Sequence, residues 1–471
     1  IWIKCQHDVL NIYGVKMQDK NSKGALERLL SLFAEVRAGE GVTALMLTLN
    51  LFLVLMSYYI AKVVREALIL AEGSAELKSY LSAGQVVLLL GAVRLYAWLA
   101  SKFSRKRLIN SVNIFFSACL GLFYVLTQLQ VPLSVIFFLW VGMFNVMVVA
   151  QFWSFANDIY TPEAGKRLFA IVAFGASSGA VAGSYLPSLF IPLVGINQLL
   201  LLSGGVLLLS LVLTNYVDAR EKVGEKVNQT VPKVQAEQPV GKEGAFKLLF
   251  NNNYLLMIAF LILLLNWVNT TGEYILGRTV KETADQIALQ GSVANFSAKE
   301  FIGKFYADFF TVVNIAGMLI QLFLVSRIFK YFGIRVAILF LPLIAFGGYL
   351  LLAYYPILNF VRWAKTAENS TDYSLNNTVR HALFLPTTRA EKYKAKQAVD
   401  SFFHRSGDVL SAVLVFVGVH WFLFETRHFA LVNLGLVAIW LFLAVRIGLE
   451  NKRLVIQRSQ AEGSARSEAG T

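Results

Sequence analysis

Apolar runs of about twenty residues recur along the whole of this chain, each close to the length a helix needs to cross about 30 Å of hydrocarbon. Lipid offers no hydrogen bonds, so a spanning backbone must satisfy its own, and only helices or closed barrels do so. These runs are too long and too uniformly apolar for barrel strands. The expected fold class is therefore an all-α membrane protein. Composition agrees, since 56% of the 471 residues are hydrophobic and the mean hydropathy is +0.59, beyond the range of soluble domains. Spans are expected at 43–65, 80–100, 108–128, 131–155, 167–189 and 197–216, then at 254–272, 305–326, 334–354, 356–384, 396–420 and 427–448. The polar stretch 217–247, with Lys222, Lys226, Lys233 and Lys242, reads as a cytoplasmic linker. It separates a six-helix N-terminal half (43–216) from a six-helix C-terminal half (248–450), flanked by an N-terminal segment (1–42) and a tail (451–471).

The net charge of +14 fits loops that face anionic headgroups. Lys102, Arg105, Lys106 and Arg107 follow the second span, and Lys166 and Arg167 follow the fourth. Arg327, Lys330 and Arg335 follow the eighth, and Arg389, Lys392, Lys394 and Lys396 the tenth. Under a twelve-span count these loops share one side, so both termini are expected in the cytoplasm. No soluble domain carries a basic stripe, which argues against nucleic acid as a partner. Cys5 and Cys119 are far apart and have no metal spacing. Residues 1–42 show no signal-peptide pattern. Ala25–Val36 has amphipathic spacing, with Leu26, Leu29, Leu30 and Phe33 on one face for a membrane surface.

The chain also repeats internally. An offset of 228 pairs Glu163 with Glu391, Lys166 with Lys394, Ala170 with Ala398, Phe174 with Phe402, Ser178 with Ser406 and Gly179 with Gly407, without a gap. Charged residues take part, so membrane composition alone does not explain the match. Tyr59-Ile60 and Tyr274-Ile275 are a second, shorter echo. The basic segments LASKFSRKRLI (99–109) and SRIFKYFGIRVAI (326–338) occupy equivalent places, and they are similar to the loop motif of major facilitator proteins. A 6+6 pseudo-symmetric, major-facilitator-like bundle rocking about a central site is expected.

An ionisable group within a span costs roughly 2.5–3.5 kcal/mol on insertion scales and marks a candidate site. Lys62, Arg65 and Glu66 sit at the end of the first span, within one turn of each other. Asp158, Lys166 and Arg167 flank the turn at Thr161-Pro162, where gating ion pairs are expected. Glu273 belongs to a polar cluster ending the seventh span. The tenth span carries Arg362, Lys365, Glu368, Asn369, Asp372, Asn376, Asn377 and Arg380, a load that must line water or protein. Lys396, Asp400 and His404 recur once per turn opening the eleventh, beside Arg405. Cations outnumber acids, as an anion carrier requires. Gly175, Gly179 and Gly183 have the spacing of close helix packing. No Walker loop, nucleophile elbow, HExxH or paired-Cys motif is present, so neither an enzyme nor an ATP-driven pump is expected, and no cofactor or metal.

Three segments carry a family resemblance: VRAGEG (36–41) with YYIAKVVREAL (58–68), FWSFANDIYTPEAGKRLF (152–169), and the stretch from YSLNNTVRHALF to RSGDVLS (373–411). Over about 36–450 the chain resembles the bacterial and plastidial ATP/ADP antiporters, the nucleotide transporters of plastids and obligate intracellular bacteria. The resemblance implies a major-facilitator-like fold and exchange or uptake of nucleotides without hydrolysis; a monomer in a bacterial inner membrane is expected. It places substrate binding at Lys62 or Arg65, at Glu273 and at Lys396, and Arg380 of the polar tenth span joins them as a substrate-binding candidate. Glu66, Asp158, Lys166, Arg167, Asp372, Asp400 and Arg405 are then expected to gate or to form salt bridges. One departure is visible. The acid that the family carries in helix four, about three turns before Phe-Trp, is missing from LWVGMFNVMVVAQFW (139–153). Val141 stands in its place and Asn145 is the nearest polar residue. The alternatives are a carrier of another organic or phosphorylated anion, proton-coupled through Asp400 and His404, or a non-transporting scaffold.

Overall fold

Ten helical runs among the described residues are long and apolar enough to cross a bilayer. In the computed structural model these residues are 24–31, 35–37, 39–227, 245–289, 297–388 and 391–468. The first six spans are α1 (Gly41–Glu72), α2 (Ala75–Lys102), α3 (Arg105–Gln128), α4 (Ser134–Ile159), α5 (Pro162–Val194) and α6 (Leu199–Val227). The seventh is α7 (Asn253–Leu289). The run Ala298–Tyr354 is 57 residues long, well over twice the roughly 20 residues one crossing needs. Its helical geometry breaks at Gly333, whose φ of 68° and ψ of 178° suit a residue without a Cβ. It therefore comprises two spans, α8 (298–332) and α9 (334–354). A tenth helix, α10 (358–382), is too polar to register by hydropathy. The last two are α11 (391–420) and α12 (Thr426–Glu468). That makes the expected twelve.

Local chemistry sets several boundaries. The Ser74 hydroxyl accepts the Leu77 N–H at 3.1 Å and starts α2. Thr161 caps α5, with Pro162 in the first turn. Ser297 and Glu300 form a reciprocal capping box on α8. Other boundaries differ from expectation. α1 and α7 run seven and seventeen residues past their expected ends, to Glu72 and Leu289, because the charged groups there are paired and the helix need not stop. α6 continues to Val227 into the expected linker, whose remainder at 228–244 lies outside the described residues. The N-terminal stretch is helical over Ala25–Leu30, and Phe33 lies outside the described residues.

The bundle has an apolar core that encloses a set of buried polar groups, and its outer surface is apolar. Lys365, Glu66, Glu368, Asn369 and Asn433 are buried, while Leu122, Leu193, Val212, Phe323 and Phe442 face outward, as lipid requires. Glycines bring the central helices together. A Cβ at Gly175, Gly179 or Gly183 of α5 runs into the carbonyl oxygens of Thr48, Phe52 and Met56 on α1. A Cβ at Gly407 of α11 comes within 2.7 Å of the Trp267 nitrogen on α7. The offset that pairs Gly179 with Gly407 is 228; the one that pairs Tyr59 with Tyr274 is 215, and it also pairs Phe52 with Trp267. The two sequence echoes are thus the two sides of one contact, made once in each half. Gly179→Ala and Gly407→Ala should each cost about 1–3 kcal/mol through overpacking. Gly205→Ala, with nothing within 4 Å, should cost far less, and thermal unfolding in detergent compares the three.

Candidate functional site

Charged side chains from α1, α2, α7 and α10 converge where the halves meet. On α1, Arg65 hydrogen-bonds the neighbouring Glu66, and its guanidinium lies 4.8 Å from the Phe138 ring of α4. The second Glu66 oxygen pairs with Lys78 of α2 at 2.7 Å. Lys78 reaches Glu273 of α7 at 3.9 Å. Glu273 is held by Lys365 of α10 at 3.7 Å and by the Asn369 amide at 2.9 Å. Lys365 completes its shell with Glu368 at 3.0 Å and the Asn269 side-chain oxygen at 2.8 Å. Tyr349 of α9 donates to Glu368 at 3.0 Å. Lys365 and Glu66 are each 1% exposed, so both depend on these partners. The chain of alternating charge runs from one half to the other.

Lys62 stands apart from it. Its ammonium lies 4.0 Å from the Phe310 ring of α8 and 5.1 Å from the Tyr59 ring, and among the described residues it makes no ion pair. Beside it, between α1, α5, α8 and α10, is a cavity of about 390 Å³ whose walls include Tyr59, Asn314, Gln321, Tyr373 and Asn377. Aromatic faces, neutral amides and one unpaired cation make a place for a flat, anionic solute.

Further contacts close one end of this space. Tyr274 donates to Glu76 at 3.1 Å and Lys281 to the Leu70 carbonyl at 3.0 Å. Lys299 pairs with Glu72 at 3.8 Å, and Asp308 accepts from Ser188. Asn314 donates to the Ala180 carbonyl at 3.2 Å nearer the middle. Among the described residues, the hydrogen bonds and ion pairs that join the halves lie at this end or in the middle. The cavity lies toward the opposite, basic end.

Most of the remaining candidates gather at that basic end, within single halves, while Asp372 and Arg405 lie nearer the middle of the bundle. Arg380 pairs with Asp400 at 3.1 Å, and Lys396 reaches Asp400 at 3.9 Å and the His381 Nδ1 at 2.8 Å. Arg380 is fifteen residues along α10 from Lys365, roughly 22 Å, so Arg380 and Lys396 form a cluster separate from Lys62 and Arg65. Asp400 has arginine and lysine partners, and no hydrogen bond joins it to His404 among the described residues. Arg405 pairs with Asp408 at 3.3 Å, and Asp372 accepts from Asn376 at 2.7 Å. Asp158 meets Arg105 at 3.5 Å, and Arg105 also holds Asp218 at 2.7 Å. The Lys166 side chain lies outside the described residues. Arg167 pairs with Glu40 at 2.8 Å and caps the Glu35 carbonyl at 2.6 Å. Burial opposes ionisation of Glu40, but the Arg167 hydrogen bond and the Arg37 N–H outweigh it, holding its carboxyl below the usual carboxylate range. This latch contributes stability at neutral pH and loses it as acid protonates Glu40.

Sequence reasoning left Lys78 and Tyr349 out. Lys78 lies one turn into α2, in a stretch that reads as a loop after the first span, and its signal was the Glu76–Lys78 pair beside an apolar run. Tyr349 gave no signal, being one aromatic among many in α9. Val141 is fully buried and Phe144 stacks on Trp140 at 5.4 Å, so the α4 stretch lacking an acid is packed as core. Glu66 supplies the carboxylate for Arg65 instead.

Residues 42–371 match the model of the Major Facilitator Superfamily. The ADP,ATP carrier protein 1 of Chlamydia pneumoniae is 25% identical over 365 residues, which are 68% of this chain and 66% of that protein, just under two thirds of its length. The solved nucleoside transporter NupG superposes with a TM-score of 0.61 at 14% identity, covering 86% of this chain and 98% of its own. A POT family transporter in complex with 5-aminolevulinic acid gives 0.57 at 12% identity over 86% and 96%. At those identities the solved structures speak to fold alone, and they bear out the expected bundle.

Removing one member of a buried ion pair strands its partner, at about 3–5 kcal/mol. Glu66→Gln is expected to lower stability by that order, and Glu66→Gln with Lys78→Met to recover the part due to the stranded Lys78, Arg65 remaining without its carboxylate. Denaturant unfolding of the three proteins measures both effects, and failure of the double variant to recover contradicts the pairing.

Proposed function

The chain belongs to the Major Facilitator Superfamily, and from that premise we propose that it is a secondary transporter exchanging nucleotides of the ATP/ADP type by alternating access. The observation that carries this reading is Lys62, an inward-facing cation with no ion pair among the described residues, beside a cavity of aromatic and amide side chains. A phosphate needs the charge and a nucleobase needs the walls. Arg65 and Glu273 adjoin Lys62 and complete the binding region on either side of the seam. Arg380, Lys396 and Asp400, with Asp158, Arg105, Arg167 and Arg405, are proposed to re-pair when the basic end closes.

The basic loops support an orientation with that end and both termini in the cytoplasm of a bacterium, the chain spanning its inner membrane. A monomer suffices, because the cavity lies between halves of one chain. A second reading, in which the substrate is another phosphorylated or organic anion, is favoured by the buried Val141 and the charge balance it changes. A scaffold has no use for a half-buried lysine beside a cavity with no ion pair among the described residues.

Exchange of radiolabelled ADP for internal ATP in proteoliposomes tests the reading. Lys62→Gln is expected to weaken half-saturation by about tenfold, the loss of roughly 1.4 kcal/mol of charge-assisted contact, while Lys452→Ala leaves it unchanged. Equal behaviour of the two removes the site. Absence of nucleotide exchange, with a thermal shift from a different organic phosphate, moves the assignment to the second reading.

A further inference from the structure

A further concavity lies outside the transport cavity, on the flank of the C-terminal half. It is a groove of about 1010 Å³ between α7 and α12, with Leu410 of α11 at its side. Its walls along the helices are apolar, including Phe260, Leu263 and Phe442, whereas Arg446, Glu450 and Arg453 stand at one end. That end is the basic end. Arg446 lies twenty residues from Thr426, about 30 Å along α12, which is where a helix leaves a hydrocarbon core of about 30 Å. The apolar part therefore lies at acyl-chain depth and the arginines at headgroup depth.

Charge decides the occupant. Glu450 lies 3.9 Å from Arg453, which leaves Arg446 exposed and without an ion-pair partner among the described residues. The mouth thus carries net positive charge. The wall also contains Trp267, whose buried indole N–H meets no acceptor among the described residues. A second groove, of about 750 Å³ between α2, α3 and α4, is lined by apolar side chains and Ser111 without a cation, and it offers a headgroup nothing to read.

We propose that the α7–α12 groove is a binding site for one anionic phospholipid, its phosphate at Arg446 and Arg453 and its acyl chains along Phe260, Leu263 and Phe442. Basic side chains at a membrane surface attract anionic lipid by about 1 kcal/mol each, or about fivefold in affinity. The site is independent of the nucleotide assignment, because none of these residues lines the transport cavity.

The test is a thermal-shift titration of the purified full chain in nonionic detergent, with dioleoylphosphatidylglycerol as the probe. Dioleoylphosphatidylcholine and glycerol phosphate serve as comparisons. The expected result is a saturable rise in Tm with phosphatidylglycerol alone, with about fivefold weaker half-saturation in Arg446→Gln. Leu263→Trp, which fills the groove, is expected to abolish the shift, and Lys452→Ala to leave it intact. Should Leu263→Trp fail to fold, the exposed Arg446→Gln still decides the matter. Equal shifts from phosphatidylcholine, an equal shift from glycerol phosphate, or unchanged half-saturation in Arg446→Gln each overturn the site.

Discussion

A charge inside a bilayer must be neutralised, and this bundle is organised around that requirement. Lys78, Arg65 and Lys365 meet Glu66, Glu273 and Glu368 in an alternating series. The closest contacts fall within the halves, at 2.7 Å for Lys78–Glu66 and 3.0 Å for Lys365–Glu368. The ion pair that crosses between them, Lys78–Glu273, is the longest at 3.9 Å. When the halves part at this end, Lys78 keeps Glu66, and Glu273 keeps Lys365 and Asn369. Opening therefore exposes no unpaired buried charge, and the large penalty for a stranded ion does not oppose it. Lys62, which makes no ion pair among the described residues, is left for a solute to neutralise.

The halves are suited to move as units. Glycines lock α5 to α1 and α11 to α7 through backbone contacts that admit no Cβ, a packing that resists sliding. Local freedom lies elsewhere. Helical turns of π geometry interrupt α8 at Ile320–Leu324, α10 at Asp372–Asn376, and α11 at Glu391–Ala395 and Val399–Phe403. Each shifts the phase of the residues beyond it, and such turns concentrate at functional sites. Lys396 still meets Asp400 at 3.9 Å, and the turn at Val399–Phe403 falls between Asp400 and His404.

Much of the fold was legible because hydropathy and charge placement are one-dimensional signals. The spans, the basic loops and the polar tenth helix all follow from what lipid excludes, and the glycine echo between Gly179 and Gly407 follows from packing that leaves no room for a side chain. Helix ends were less legible, since α1 and α7 continue through Arg65–Glu66 and Glu273 only because distant residues pair with those charges. The site was legible in parts. Lys365 and Glu368 stood out by their burden of charge, but their joining to Glu66 through Lys78 depends on helix rotation and tilt that no local pattern encodes. For the same reason Arg380 and Lys396, near Lys62 in function under the family resemblance, lie in a separate cluster at the basic end.

The central claim is that the halves, joined at one end by Lys78–Glu273 and its neighbours, rock to close the other around a bound anion. The most direct measurement is the distance between spin labels on the exposed positions Glu163 and Gln397, one at the basic end of each half, in a background lacking Cys5 and Cys119. Adding ATP or ADP is expected to shift the distribution toward shorter distances, and Lys62→Gln to suppress that shift. A distribution that nucleotide leaves unchanged, in a protein that exchanges nucleotide in liposomes, contradicts the account.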